Sequence, residues 1–182
     1  MKYILSLLLL FTASSAFADS TCSSTKYVLL NNTVSFGMTI EQAKSALERK
    51  YKGKANVLSP KEGFLVVAFH NPQNNVSRMV LFAINGKITR QLFTYSDQFI
   101  RKFGGNAEMF VAMVGKLTEK YGERAGQSFD QDEDKATFNW SRQGGATLQV
   151  MASKSTVDLR IDCDDLEDQI KAQTTKSANF GF

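Results

Sequence analysis

Residues 47–51 (LERKY) and 117–121 (LTEKY) are two similar stretches that lie 70 positions apart. In each stretch the leucine and the tyrosine are four residues apart, which places both side chains on one face of an α-helix. A glycine follows each tyrosine within two residues, as at the end of many helices. Three strand-like segments follow each helix, so the sequence predicts an α+β protein of two tandem αβββ units, with helices packed on antiparallel sheet.

The first residues have the pattern of a secretory signal peptide. Lys2 precedes an apolar run, and the small residues Ala16 and Ala18, separated by Phe17, close the segment at Ala18. The run is shorter than the ~20 residues that a membrane-spanning helix needs. We therefore expect cleavage after Ala18 and a periplasmic or secreted protein without a transmembrane segment.

We divide the chain after the signal peptide into two units, with the boundary between the two predicted helices. We assign residues 19–95 to the first unit, residues 96–172 to the second unit with a C-terminal helix, and residues 173–182 to a polar tail. The formal net charge is +4, but lysines and arginines are interleaved with acids along the chain. This distribution favours a solvated surface over a basic binding patch, so no nucleic-acid partner is expected.

The two cysteines, Cys22 and Cys163, follow the signal peptide and the last predicted strand. An exported chain with an even number of cysteines is normally oxidised, so we predict a Cys22–Cys163 disulfide. Closing so long a loop should stabilise the fold by about 4 to 5 kcal/mol.

The first helix has a start signal. Thr39 and Gln42 have the spacing of a capping box, and the positions that follow have an apolar stripe at helical spacing. Further along, Asn85-Gly86 separates two strand-like segments at 76–84 and 87–95, which predicts a two-residue type I′ hairpin. This turn predicts the opposed pairs Ala83 with Ile88, Leu81 with Arg90, and Met79 with Leu92.

The strand at 76–84 is apolar on both faces. A central strand that is covered on two sides would have this pattern, and so would a strand that holds one side for a partner. The sequence leaves both explanations open.

The strands of the second unit alternate between apolar and polar residues, so we expect one buried face and one wet face. The wet face is the candidate binding surface, although most exposed sheets have this pattern without a ligand. Its predicted members are Thr137, Asn139, Ser141, Thr147, Gln149, Asp158 and Arg160.

The sequence shows little sign of reactive chemistry. His70 is the only histidine, and no serine or cysteine lies in a nucleophile motif. Residues 130–134 (DQDED) begin like a calcium loop, but Lys135 replaces its glycine and Ser141 its bidentate glutamate. Zinc, phosphate-loop and dinucleotide motifs are absent from the sequence, so no catalytic residue, metal or cofactor is expected.

Residues 34–47 have the pattern VSFGMTxxQAxxxL, which resembles the helix opening of small envelope proteins of the outer-membrane-assembly lipoprotein type. The tandem units are similar to the β-lactamase-inhibitor-protein fold. These resemblances imply a non-catalytic module that binds another protein through a sheet face or a loop. The chain departs from the lipoproteins because it lacks their lipid-bearing cysteine.

We therefore expect an exported, non-enzymatic protein that binds a protein or an envelope component, with no prediction of oligomeric state. Two alternatives remain open. The first is a small periplasmic hydrolase that uses His70, and the second is a carrier of an apolar ligand between helix and sheet.

Overall fold

The computed structural model describes Cys22 and residues 33–58, 63–73, 75–143 and 145–179, without the side chains of residues 73, 141–143 and 173–179. The predicted signal peptide at 1–18 lies outside this part of the chain. The described residues form an α+β fold with one antiparallel sheet. The elements, in order, are α1 (Ile40–Lys50), β1 (Ala55–Val57), β2 (Phe64–Gln73), β3 (Val76–Ile84), β4 (Lys87–Tyr95), α2 (Asp97–Arg101), α3 (Asn106–Tyr121), β5 (Gly126–Asp130), β6 (Lys135–Gln143), β7 (Ala146–Ala152), β8 (Val157–Cys163) and α4 (Asp164–Asn179).

The eight strands of the sheet have the order β1-β2-β3-β4-β8-β7-β6-β5. Each half of the sheet is built from consecutive strands, and the last strand of one half pairs with the last strand of the other. Four strands follow α1 and four follow α3, whereas the sequence predicted three in each unit. The missed strands, β1 and β5, lie at the two edges and are short, so neither has a long alternating pattern.

The β3–β4 hairpin has the predicted Asn-Gly turn, with positive φ at Asn85 and Gly86. Ala83 lies opposite Ile88, as predicted, but the register then shifts by one residue at Thr89. Beyond this bulge Leu81 lies opposite Gln91, and Met79 lies opposite Phe93. The predicted pairs of Leu81 with Arg90 and of Met79 with Leu92 are therefore wrong, because the bulge moves Arg90 and Leu92 to the other face.

Helix α1 begins with the predicted capping box. The Thr39 hydroxyl accepts from the Gln42 amide at 3.2 Å, and the Gln42 side chain accepts from the Thr39 amide at 2.9 Å. The helix contacts β1 and β2 and buries Ala43 and Leu47 completely. Its apolar stripe thus covers the outer strands of the first half.

Helix α3 covers β7 and β8 in the second half. Met109 is fully buried, and the ring centroid of Phe110 lies 5.2 Å from that of Phe138 on β6. The two matching tyrosines both contact the same core, but Tyr51 is buried against it and Tyr121 only half-buried. The C-terminal end of α3 is therefore less buried than that of α1.

Cys22 and Cys163 form the predicted disulfide, with Cα atoms 5.8 Å apart. The segment before α1 also lies beside the centre of the sheet. The side-chain amide of Gln91 donates to the Val34 carbonyl at 3.2 Å, and the backbone amide of Gly37 donates to the Ile88 carbonyl at 2.9 Å. The N-terminal segment is thereby fixed to β4, and the disulfide fixes Cys22 to the end of β8.

Helix α4 extends to Asn179, whereas the sequence predicted a helix over 164–172 and a polar tail over 173–182. The prediction followed an apolar stripe that stops at Ile170, but no glycine or proline interrupts the chain before Gly181. Residues 180–182 lie outside the described chain. In the part that the structure describes, no helix is both long and apolar enough to cross a membrane.

Removal of the disulfide should destabilise the fold strongly. The bond closes a sequence separation of 141 residues, and the chain-entropy model gives such a loop about 5 kcal/mol. We expect the C22S/C163S variant to lose about 3 to 5 kcal/mol of unfolding free energy in urea titrations. The same variant with and without reductant is the control, since its stability should not respond to reduction. A loss below about 1 kcal/mol would contradict the prediction.

The two leucines of the matching stretches provide a second test. Leu47 is fully buried, whereas Leu117 is only half-buried. We expect Leu47→Ala to cost about 3 kcal/mol and Leu117→Ala about 1 kcal/mol, because the cost of truncation rises with the cavity left behind. Urea unfolding of the two variants measures both costs, and equal costs would show that the helices are packed equally deeply.

Candidate functional site

The sheet has one face covered by α1 and α3. We call the opposite face the open face, although α4 contacts two of its strands, β4 and β7. Directly opposed residues of antiparallel strands point to the same side of a sheet. Phe93 and Leu159 are opposed and belong to the buried core, so their strand neighbours Leu92 and Arg160 point to the open face. The register therefore identifies the side chains of the open face strand by strand.

An apolar sector occupies the open face on β2, β3 and β4. Val66, Val80 and Leu92 are opposed in one row across these strands, and Phe64 and Phe82 are opposed in the next. All five side chains are partly exposed. On β3, the other face is buried through Met79 and Leu81. The strand is thus apolar on both sides but deeply buried on only one of them.

A polar sector continues the same face on β8, β7 and β6. Arg160, Gln149 and Asn139 extend the row of Leu92, and Asp158 and Thr137 lie in the next row with Met151 between them. The structure brings together six of the seven predicted binding residues, namely Thr137, Asn139, Thr147, Gln149, Asp158 and Arg160. The seventh, Ser141, belongs to β6, and its side chain lies outside the described atoms. The ligand-binding role of all seven residues remains a prediction.

An ion cluster lies where the two sectors meet. Asp162 is 5% exposed and accepts hydrogen bonds from Arg90 on the opposed strand and from Arg160 two residues away. The Arg160 Nη2–Asp162 Oδ2 distance is 2.7 Å, and the Arg90 guanidinium lies 5.6 Å from the ring centroid of Phe82. Each guanidinium has five N–H donors, so both retain donors beyond those that Asp162 accepts.

Helix α4 starts beside this cluster. Glu167 Oε2 lies 4.0 Å from Arg90 Nη2, and Thr147 donates to Asp164 at 2.5 Å. Glu167 also accepts a hydrogen bond from Lys171, and this bond together with the negative charge raises the pKa of Lys171. The first turns of α4 thus border the polar sector and supply a carboxylate to one of the two arginines.

Arg90, Asp162 and the apolar sector were not predicted as site residues. Asp162 and Arg90 are separated by 72 positions, and only the β4–β8 pairing brings them together. The double-sided apolar pattern of β3 was the one sequence signal that pointed to this half of the face.

A cavity of about 200 Å³ lies at the far end of the polar sector. Asp158 accepts from the Thr156 hydroxyl at 2.8 Å through Oδ2, while its buried Oδ1 has no hydrogen-bond partner in the described residues. The cavity is smaller than the ~300–1,000 Å³ of typical small-molecule sites and would fit a single side chain. Its lining residues are Glu133, Lys135, Met151, Ala152, Ser153, Thr156 and Asp158.

The other residues that the sequence singled out lie away from the open-face ion cluster. His70 is exposed on β2, and its Nε2 lies 3.0 Å from the side-chain oxygen of Asn56, so its partner is an amide instead of a carboxylate. Asp130 accepts from the backbone amides of Asp132 and Glu133, which orders the loop before β6. No group of three or more His, Cys, Asp or Glu side chains that could hold a metal occurs in the described segments.

The fold therefore defines an α+β protein with a two-sector face on one eight-stranded antiparallel sheet. No family model matches the chain, and no curated protein matches it. Among solved structures, it is similar to YjgB of Bacillus subtilis, a DUF4309 family protein. The two chains share 7% identity with a TM-score of 0.49, over 79% of this chain and 90% of that one.

Replacement of Asp162 should destabilise the protein more than replacement of Asp158, which lies on the same strand and the same face. Asp162→Asn leaves two arginines without their shared, nearly buried carboxylate, which we expect to cost about 3 kcal/mol. Asp158→Asn removes a partly exposed charge and should cost less than about 1 kcal/mol. Urea unfolding measures both, and equal costs would mean that the cluster does not hold the β4–β8 junction.

Proposed function

We propose that this chain is an exported, non-enzymatic protein that binds another protein or an envelope component through the open face of its sheet. The observation that carries the proposal is the apolar sector of Phe64, Val66, Val80, Phe82 and Leu92, which remains partly exposed beside the ion cluster. Contiguous apolar surface outside the core is typical of interaction sites.

The two sectors would have different roles in such a contact. Burial of the apolar side chains would supply most of the binding free energy, because each CH₂ removed from water contributes about 0.8 kcal/mol. The two arginines would orient the partner, since a guanidinium recognises a carboxylate through paired N–H donors. We therefore expect a partner that presents apolar side chains next to an acidic group. The small cavity at Asp158 would accept one further side chain.

The architecture is compatible with this type of protein. We interpret the two halves, each a helix followed by antiparallel strands, as tandem copies of one unit, which agrees with the resemblance to the β-lactamase-inhibitor-protein fold. The Cys22–Cys163 disulfide is compatible with export. The interpretation as a binding module follows from the composition of the open face and from these resemblances.

The two alternative functions have less support. A hydrolase that uses His70 would need a carboxylate within hydrogen-bond reach, and the partner of His70 in the described chain is Asn56. A carrier would need space between helix and sheet, where Leu47 and Met109 are fully buried against neighbouring side chains.

The test is capture of partners on immobilised mature protein from an envelope extract at physiological salt. We expect retained proteins that Val80→Asp releases, with binding reduced at least about tenfold, because a charge in the apolar sector must be desolvated on contact. Val111→Asp is the matched control, since it makes the same substitution at an exposed position of α3, which covers the other face of the sheet.

The controls separate the proposal from its alternatives. Circular dichroism and urea unfolding confirm that each variant is folded. His70→Ala should leave capture unchanged. If the wild type retains nothing at physiological salt, or if Val80→Asp and Val111→Asp retain the same proteins as fully as the wild type does, the open face is not the binding surface.

A further inference from the structure

The cavity of about 200 Å³ at the far end of the polar sector has a lining of mixed character. Glu133 comes from the turn between β5 and β6, and Ser153 and Thr156 come from the turn between β7 and β8. Met151 and Ala152, at the end of β7, supply an apolar wall. The space therefore fits one side chain that has both an alkyl part and a polar end.

The carboxylate of Asp158 also lines the cavity, and its hydrogen bonding is incomplete. Its Oδ2 accepts from the Thr156 hydroxyl at 2.8 Å, whereas its Oδ1 has no hydrogen-bond partner among the described residues. Arg78, in the same row of the sheet, donates to the Thr94 hydroxyl at 3.4 Å instead. An ionised carboxylate can accept about four hydrogen bonds. Because the Cβ–Cγ torsion of aspartate is broad and two-fold, either oxygen can face the cavity.

The charges of the lining favour a cation as the ligand. Lys135 lines the cavity too, but its Nζ lies 3.7 Å from Glu133 Oε2, so these two charges compensate each other. Among the described lining residues, Asp158 is then the charge without a counter-ion. A ligand with a single positive charge neutralises the site, whereas an anion would add to its negative charge.

We propose that this cavity binds a primary ammonium group on an alkyl chain, which is the group that ends a lysine side chain. The alkyl chain lies against Met151 and Ala152, and the ammonium donates to the Asp158 carboxylate. A guanidinium fits less well, because it pairs with both oxygens of a carboxylate and one oxygen of Asp158 already accepts from Thr156. In the open-face contact proposed above, the lysine belongs to the partner, and this assignment rests on the proposed function.

The test is a chemical-shift titration of the oxidised mature protein with Nα-acetyl-lysine methylamide at constant ionic strength. We expect saturable shifts of the backbone amides at 133–135 and 151–158. Nα-acetyl-norleucine methylamide has the same alkyl chain without the ammonium, so it should bind at least about tenfold more weakly. Asp158→Asn keeps the shape of the side chain and should weaken binding of the lysine probe at least about tenfold. Glu119→Gln, which neutralises an exposed carboxylate on α3, is the control and should bind the probe like the wild type.

Three results would overturn the proposal: shifts of the lysine probe that lie outside the cavity, equal binding of the norleucine probe, or undiminished binding by Asp158→Asn. Circular dichroism of each variant separates loss of binding from loss of folding.

Capture from the envelope extract identifies the source of the amine. Retention that Asp158→Asn reduces and Glu119→Gln leaves unchanged assigns the site to a lysine of the partner. Retention that neither variant changes, together with a positive titration, assigns it to a free amine. If the wild type retains no protein but the titration succeeds, the proposed function is wrong and the ammonium site stands.

Discussion

The antiparallel pairing of β4 with β8 is the contact on which the fold depends, because it joins two sets of four strands into one sheet. Its buried side pairs Phe93 with Leu159 and Gln91 with Ile161. Gln91 is fully buried, and its amide donates to the Val34 carbonyl of the N-terminal segment. This hydrogen bond from the Gln91 side chain connects the junction to the segment before α1. Because the side chain is buried, loss of the bond would cost more free energy of unfolding than loss of an exposed one.

The open side of the same junction depends on a single extra residue. The bulge at Thr89 shifts the register of β4 against β3, so that Arg90 and not Gln91 points to the open face. Without it, the period of two would place the arginine in the core and the glutamine beside Asp162. The Asn-Gly turn could be predicted from the sequence because it depends on two adjacent residues. The bulge could not, because it depends on how β4 meets both of its neighbours.

The same distinction explains the other outcomes. The polar sector was predicted because alternation within one strand, such as Thr137 and Asn139 on β6, already identifies a common face. The Arg90–Asp162 contact was missed because it needs the pairing of strands far apart in sequence. The edge strands β1 and β5 were missed because they are too short to show a period. Local sequence patterns therefore predicted the helices and the longer strands, whereas the ion cluster depends on the pairing of strands that are far apart in sequence.

The two halves of the sheet differ in a way that stability alone does not require. Strands β6, β7 and β8 bury one face and present polar residues on the other, with Met151 as the apolar exception, and this arrangement is enough for an antiparallel sheet. On β2 and β3 the second face is apolar as well, and Val66 and Val80 contribute only a cross-strand pair there, worth about 0.2–1 kcal/mol. Such a surface increases the risk of non-specific association.

The apolar sector lies beside arginines that Asp162 already holds in place. Their contacts to a partner would therefore be preorganised, and they would fix the orientation in which the partner binds. The proposed binding role would account for both the apolar residues and the ion cluster, whereas stability accounts only for the ion cluster, which joins β4 to β8.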